Sequence, residues 1–356
     1  MATISVCMIV KNEEKVLARC LDSLAGLWEE LIIVDTGSTD ATKDVANRYT
    51  DKVYDFTWTG NFSDARNYSF SKAGCDYIYC ADADEELDEE NRERFLVLKE
   101  ALSQNPEIEI VQMYYGNQLS QNSIYNFDKE YRPKLYKRLR RFMWQEPIHE
   151  AVRLEPVVYD SDIVIWHKPH GQHGARDLTY FEKMIEQQEI LSPRIQDIYL
   201  RELYFIGEEH NLKKGHDYLA CICENENPES DLFQKAIAIL CKEARLLGKD
   251  SDVLKYSLKG VAGQGSSELC IELGHYFYEK QEWAEAIIWY YNAAYETTCQ
   301  MSLKAATTEP LSRIISCYEA LGMPEMAEEY RECLDTTCKN GYNNSVMEGV
   351  VNFRKR

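Results

Sequence analysis

The chain has 356 residues, 60 of them acidic and 40 basic, for a formal net charge of −20. That charge excludes nucleic acid and anionic membrane surfaces as partners, since both select cations, and its plain meaning is a solvated acidic surface. At 45% hydrophobic and 28% charged the composition is that of a globular protein, and the length predicts two domains. No apolar run approaches the roughly 20 residues that span a bilayer. The segment Met1–Glu14 has no basic stretch before its apolar run and no cleavage site, so no signal peptide is expected. The twelve cysteines are scattered, and the close pairs Cys75/Cys80 and Cys221/Cys223 lack zinc spacing. Reduced thiols in a cytoplasmic protein are the expectation.

The first stretch alternates strand and helix. Ile4–Val10 is a continuous apolar run, the pattern of a strand buried on both faces. Asn12 is expected to open an amphipathic helix with Val16, Leu17, Cys20, Leu21 and Leu24 on one side. Leu31–Val34 reads as a second buried strand, after which Ser38 or Thr39 is expected to cap a helix carrying Val45 and Ala46. Val53–Phe56 is a third strand, Phe62–Ala73 a helix and Tyr77–Cys80 a fourth strand. Three strand–helix units imply a parallel sheet with right-handed crossovers. From Ile108 the intervening helices disappear. Ile108–Tyr115, Tyr131–Tyr136 and Val157–Trp166 read as strands, which predicts a mixed sheet with an extension beyond the parallel part.

From Asp177 onward the pattern is helical. In Glu272–Ala293, the residues Leu273, Gly274, Phe277, Ala286, Tyr290 and Ala293 fall on the tetratricopeptide pattern, whose period is about 34 residues. Weaker copies centre on Gly215, Val253 and Ala327. The predicted division is therefore an α/β domain over 1–173 and a helical-repeat domain over 174–356. An ordinary helical bundle is the competing reading of the second.

Three segments could carry chemistry. Asp82-Ala83-Asp84 directly follows the fourth strand, and ligands of open α/β sheets sit beyond carboxyl strand ends. Two carboxylates there suit a hard divalent cation bridging to diphosphate oxygens. In isolation the same residues read as an acidic run continuing through Glu85-Glu86-Leu87-Asp88 into a helix start. Val34-Asp35-Thr36-Gly37-Ser38-Thr39-Asp40 follows the second strand. Asp35 could accept hydrogen bonds from a base or ribose, or the segment could simply be a sound strand–turn–helix junction. In Asp64-Ala65-Arg66-Asn67, Arg66 either reaches a diphosphate or pairs with Asp64 on the surface.

In this order, Ile4–Glu14, Val34–Asp40, Phe62–Asn67 and Ala81–Glu85 resemble the family 2 inverting glycosyltransferases. The closest resemblance is to the bacterial branch with tetratricopeptide repeats, which is similar in turn to enzymes that glycosylate bacteriocin peptides on cysteine or serine. The resemblance implies a GT-A fold, a Rossmann-like mixed sheet, followed by an all-α repeat domain. It implies a uridine diphosphate sugar donor and Mn2+ or Mg2+. Carried over by position, Asn12 and Glu14 lie where the base is held, and Asp35 matches the carboxylate that binds uracil or its ribose. Arg66 belongs to the base and diphosphate region. Asp82 takes the ribose and metal side of the motif, and Asp84 is the direct metal ligand. His167 matches a histidine that completes the metal shell.

The segment Trp144-Gln145-Glu146-Pro147-Ile148-His149-Glu150 resembles that branch's Ile-His-Glu motif, with Pro147 where glycine is usual. A carboxylate near the anomeric carbon takes the acceptor proton, which makes Glu150 the first candidate base and His149 the second. A surface His-Glu at a strand start is the bland reading. His170 and His173 do not form a zinc set, because Pro169 and Gly171 preclude a helix there. The basic run Arg132–Arg141 is read either as a strand whose cations face the donor diphosphate or as a solvated loop.

The absence of glycine in Lys11-Asn12-Glu13-Glu14 excludes a nucleotidyltransferase and a dinucleotide-binding dehydrogenase. The lack of membrane helices excludes a polymerising synthase. An inactive peptide-binding scaffold is disfavoured because Asp35, Asp82 and Asp84 are all present, and a glycan acceptor remains the enzymatic alternative. A peptide or protein acceptor is expected, since helical arrays present concave surfaces to extended chains. Tyr276, Tyr278, Tyr290, Tyr291 and Tyr295 are read as partly surface residues serving that role. A homodimer formed through the helical domain would use the same surface.

Overall fold

The computed structural model describes residues 1–116, 130–140, 142–149, 151–152, 157–168, 174–188 and 190–339. The chain divides into two compact units, Met1–His173 and Gly174–Arg356. In the first, β1 (Ile4–Val10), β2 (Glu30–Asp35), β3 (Val53–Asp55) and β4 (Tyr77–Ala81) are parallel and are linked by α1 (Leu17–Leu24), α2 (Thr42–Ala46) and α3 (Phe62–Ser71). There follow β5 (Glu85–Glu86), α4 (Glu89–Gln104), β6 (Ile110–Gly116), β7 (Glu130–Lys137) and β8 (Val158–His167). β7 runs antiparallel to both β4 and β6, so the sheet is mixed, in the order β3-β2-β1-β4-β7-β6-β8-β5.

The apolar runs are continuous because both sheet faces are covered. Ile4, Val6, Met8 and Val10 of β1 pack into one cluster with Leu17, Leu21 and Leu24 of α1, whereas Cys7 faces the opposite cluster with Ile32, Val34, Ile78 and Phe70. The register pairs Val10 with Asp35 and Met8 with Ala81, which brings the carboxyl ends of β1, β2 and β4 side by side. Every acidic motif of the sequence leaves the sheet at that edge.

Local starts differ from the sequence reading. Asn12 does not open a helix: it adopts φ 59°, a left-handed conformation that asparagine tolerates, and α1 begins at Leu17. The intervening residues are tied to the segment after β2 instead. Asn12 Oδ1 accepts from Thr39 N–H, Glu13 N–H donates to Thr42 Oγ1, and Glu14 Oε2 accepts from Ala41 N–H. Ser38 and Thr39 likewise do not cap α2; Ser38 Oγ accepts from Asn12 N–H, and Asp40 Oδ1 accepts from Thr42 N–H. Glu85-Glu86-Leu87-Asp88 is not a helix start. Glu85–Glu86 pairs with β8, and Asp88 caps α4 by accepting from Asn91 N–H.

The second unit is helical: α5 (Gly174–Glu186), α6 (Pro193–Ile206), α7 (Glu209–Asn225), α8 (Asp231–Leu246), α9 (Asp250–Ala262), α10 (Ser267–Glu279), α11 (Trp283–Tyr291), α12 (Thr308–Ala320) and α13 (Pro324–Lys339). Ser192, Ser230 and Ser266 cap α6, α8 and α10, satisfying N–H groups the helix leaves unpaired. The α10–α11 hairpin shows why its small residue is needed. A Cβ at Gly274 would lie 2.4 Å from the Tyr290 ring. The repeat centres Val253 and Ala327 are fully buried, as interhelical packing positions should be. Of the five tyrosines read as partly surface residues, Tyr276 and Tyr290 are buried, and Tyr278 packs edge-on against Trp283. Tyr291, whose ring packs at a tilt against Tyr295, is the one that is exposed. Two of the five tyrosines are thus core residues, packed among the largely aliphatic side chains that fill the hairpins. The cysteines with described side chains are free. Among the described residues no helix is long and apolar enough to cross a membrane.

Candidate active site

The exit of β2 is a tight turn built around Asp35. Gly37 takes φ 103°, which favours glycine, and the N–H groups of Gly37 and Ser38 both donate to Asp35 Oδ2 at 3.0 Å. The Asp35 residue is 2% exposed, yet its Oδ1 has no hydrogen-bond partner. A buried carboxylate oxygen left unsatisfied is costly. It marks a place where an incoming donor would be welcome. Asn12 and Glu14 stand beside this turn and accept from backbone N–H groups of Thr39 and Ala41.

The exit of β4 carries a four-residue charge network. Arg66 of α3 is buried, not paired with Asp64 on the surface; Asp64 accepts from Thr59 instead. Its Nη2 meets Asp82 Oδ1 at 2.7 Å, its Nη1 donates to Cys80 Sγ at 2.9 Å, and its guanidinium lies 4.9 Å from the Trp144 ring centroid. Burial pushes the Cys80 thiol up to about 11, so Arg66 meets a neutral sulfur there. The other oxygen of Asp82 faces Lys134 Nζ at 3.4 Å, and Lys134 also pairs with Glu85. The protein packed around Asp82 opposes its charge, but Arg66 and Lys134 hold its carboxyl well below the usual carboxylate range. Burial pushes Glu85 up; Lys134 pulls against that and Asp82 adds to it. The side chain of Asp82 is 34% exposed, so a ligand can reach it although both oxygens are held.

Asp84 has a different neighbour. Its Oδ2 lies 3.1 Å from His167 Nε2. The β5–β8 register sets Glu85 opposite His167, and Lys168 N–H donates to the Asp84 carbonyl. His167 also packs against Tyr115, ring centroids 5.2 Å apart. A carboxylate and an imidazole meeting at the end of two strands are a mixed oxygen and nitrogen donor set, which suits Mn2+ better than Mg2+, a cation that prefers oxygen ligands throughout. Asp82 differs from both, its two oxygens being directed to Arg66 and Lys134.

The segment after β7 folds back onto α3. Trp144 N–H donates to Asn67 Oδ1, Asn67 Nδ2 donates to the Trp144 carbonyl, and Phe62 N–H donates to the Pro147 carbonyl. A bridge between Gln145 and Ala151 closes the loop. The positive φ values fall at Glu146 and His149 and not at Pro147, so this loop does not need the glycine usual in the motif. His149 sits in the loop next to the buried Ile148. Glu150 lies outside the described residues, as do Arg141, His170 and His173.

The basic run is not a solvated loop throughout: its first part, to Lys137, lies in the strand β7. Lys134 is buried, Arg132 pairs with Glu130 and stacks 3.9 Å from the Tyr115 centroid, and Arg140 pairs with Glu109. The sequence singled out Lys134 only as one cation of the run Arg132–Arg141, and Glu85 only as the end of the Ala81–Glu85 motif. The available signal was weak: Lys134 is the one cation of the run set between Pro133 and Leu135, ahead of the apolar pair Leu135-Tyr136 that enters the core.

Residues 5–153 match the model of the family described as Glycosyl transferase family 2. The chain is 25% identical over 261 residues to the SPbeta prophage-derived glycosyltransferase SunS of Bacillus subtilis, covering 67% of this chain and 58% of that protein. It is 45% identical over 87 residues to a TPR repeat-containing protein of Synechococcus elongatus, covering 24% of this chain and 22% of that one. The chain therefore spans less than two thirds of the length of these curated relatives. Among solved structures it resembles a mannosyltransferase of Pyrobaculum calidifontis in complex with GDP-Man and Mn2+, with 15% identity, a TM-score of 0.38, and 73% and 87% of the two chains covered. The part of the chain that matches the family 2 glycosyltransferase model, residues 5–153, is the part that forms the mixed sheet and its motif-bearing carboxyl edge.

Proposed function

We propose that the protein transfers a sugar from a uridine diphosphate sugar to a peptide or protein side chain, with inversion at the anomeric carbon and with a divalent cation. The observation that carries the donor half is the orphaned, buried Oδ1 of Asp35 at the carboxyl edge of the sheet. A base N–H or a ribose hydroxyl supplies the donor it lacks. Asn12 and Glu14 shape the wall beside it, and Asp82, held by Arg66, accepts from the ribose. Asp84 and His167 would hold Mn2+ or Mg2+, with Asp82 on the ribose side of that site. When bound, the cation supplies positive charge beside the diphosphate leaving group. Glu150 takes the acceptor proton, with His149 as the second choice. The peptide acceptor rests on the motif resemblance and on the fused helical unit, whose architecture suits extended chains.

The test uses the full chain. A panel of nucleotide sugars is incubated with Mn2+ and peptide substrates, and nucleotide release, peptide mass and anomeric configuration are read. Release from a uridine diphosphate sugar, abolished by a chelator or by Asp84→Asn and restored in the native enzyme by Mn2+, is the expected result. No release from any donor overturns the proposal. A retained configuration removes the inverting mechanism, and transfer to glycans with none to peptides removes the peptide acceptor.

A further inference from the structure

The charge network at the β4 exit contains two members with no assigned role, Lys134 and Glu85. Lys134 enters from β7, a strand antiparallel to β4, and is buried. A lysine ammonium is seldom buried without partners, and this one has two: Glu85, itself 2% exposed, and Asp82. Glu85 is its buried partner. The second contact, to Asp82 Oδ2, instead reaches a carboxylate that is 34% exposed at the site edge. Arg66 occupies the opposite oxygen, Oδ1. Asp82 is thus gripped from both sides by cations from two different elements, α3 and β7. The next aspartate along the chain, Asp84, meets a neutral-capable imidazole instead.

We infer that Lys134 is a positioning residue of the donor site: with Arg66 it fixes the Asp82 carboxylate as a hydrogen-bond acceptor for the nucleotide's ribose and keeps it off the cation, leaving Asp84 and His167 as the metal donors. The inference rests on the donor site proposed above. The physical reason is competition for lone pairs. A carboxylate whose two oxygens already face an ammonium and a guanidinium is a poor ligand for a further cation, because the added positive charge is repelled. It retains lone pairs for neutral hydroxyl donors. Two neighbouring aspartates thereby acquire separate tasks from their surroundings rather than from their spacing.

The inference makes an unusual demand, that loss of Lys134 weakens nucleotide binding and strengthens metal binding. Lys134→Met, Lys134→Arg and the double variant Lys134→Met/Glu85→Gln are compared with the native chain. UDP binding is read by titration calorimetry and Mn2+ binding without nucleotide by electron paramagnetic resonance. Lys134→Met is expected to bind UDP about tenfold or more weakly, the scale of losing a residue that orients a ligand-binding group. It should bind Mn2+ several-fold more tightly, and Lys134→Arg should recover most of the UDP affinity. The double variant removes the buried unpaired charge, so its melting curve should match the native one while its UDP affinity stays low; it decides the matter if Lys134→Met does not fold. Native-like UDP and Mn2+ binding in the folded variants, while the native chain binds UDP, overturns the role of Lys134 alone. Weaker binding of both ligands in the folded double variant reduces Lys134 to a structural residue and overturns it equally. A native chain that binds no nucleoside diphosphate overturns the donor-site reading itself.

Discussion

Asp35→Asn tests the donor pocket with a change of one atom. In the native turn Oδ2 accepts from the Gly37 and Ser38 N–H groups, and Oδ1 is buried with no partner. Asparagine must place its carbonyl oxygen where Oδ2 was, because both N–H groups require an acceptor. Its NH2 then replaces Oδ1 and points a donor at the donor of the nucleotide. Losing one hydrogen bond to a charged acceptor costs about 1.5–3 kcal/mol, which is roughly 10- to 150-fold in Kd. Stability moves the other way. The native turn holds a buried charged oxygen without a partner, and the variant replaces it with a neutral group. Asp35→Asn is therefore expected to melt at or above the native temperature while binding UDP at least tenfold more weakly. Calorimetric titration with UDP and a thermal melt on the same preparations read both quantities. Unchanged UDP affinity refutes the assignment. A fall in melting temperature of several degrees shows that Asp35 is there for the turn.

Glu150→Gln should lower transfer by about 10² or more, the usual scale for a lost general base, with UDP binding nearly unchanged; if His149→Ala is crippled and Glu150→Gln is not, the roles are exchanged. Gly274→Ala sets the contact with the Tyr290 ring against helix propensity. Overpacking costs about 1–3 kcal/mol and the Gly-to-Ala gain in a helix is at most about 1 kcal/mol, so urea melts should show net destabilisation, and equal or greater stability would show the hairpin can spread at no cost. Asp76 is held below the ordinary carboxylate range by hydrogen bonds from the Thr3 N–H and hydroxyl. Because its folded pKa is the lower one, its contribution is in place above the unfolded value of about 3.9 and is lost as pH falls through the folded value. Asp76→Asn should therefore flatten the fall of melting temperature below about pH 4, and an unchanged acid limb would remove Asp76 from the account.

What sequence alone determined here is whatever depends on periodicity and order. Continuous apolar runs at Ile4–Val10 and Leu31–Val34 require a sheet covered on both faces. The loss of helical signal after Ile108 requires the change to a mixed sheet, and small residues such as Gly274 require closely packed hairpins. Asp35, Asp82 and Asp84 were legible because they lie at or just past the carboxyl ends of strands, and strand ends in parallel sheets converge on one edge. Only the tertiary structure decided the partners. That Arg66 turns inward to Asp82 rather than outward to Asp64 depends on the cleft between α3, Cys80 and Trp144, residues that are distant in sequence or on other elements. That Lys134 is buried between Asp82 and Glu85 depends on β7 running antiparallel beside β4, a pairing no local pattern encodes. The helix starts at Leu17 and Thr42 moved for the same reason: Asn12, Glu14 and Asp40 found acceptor roles across two loops, and side-chain bonds between segments outweighed local capping preference. Local propensity is worth about 1 kcal/mol at a cap. A network of cross-loop hydrogen bonds exceeds that, and it exists only once β1 and β2 lie side by side.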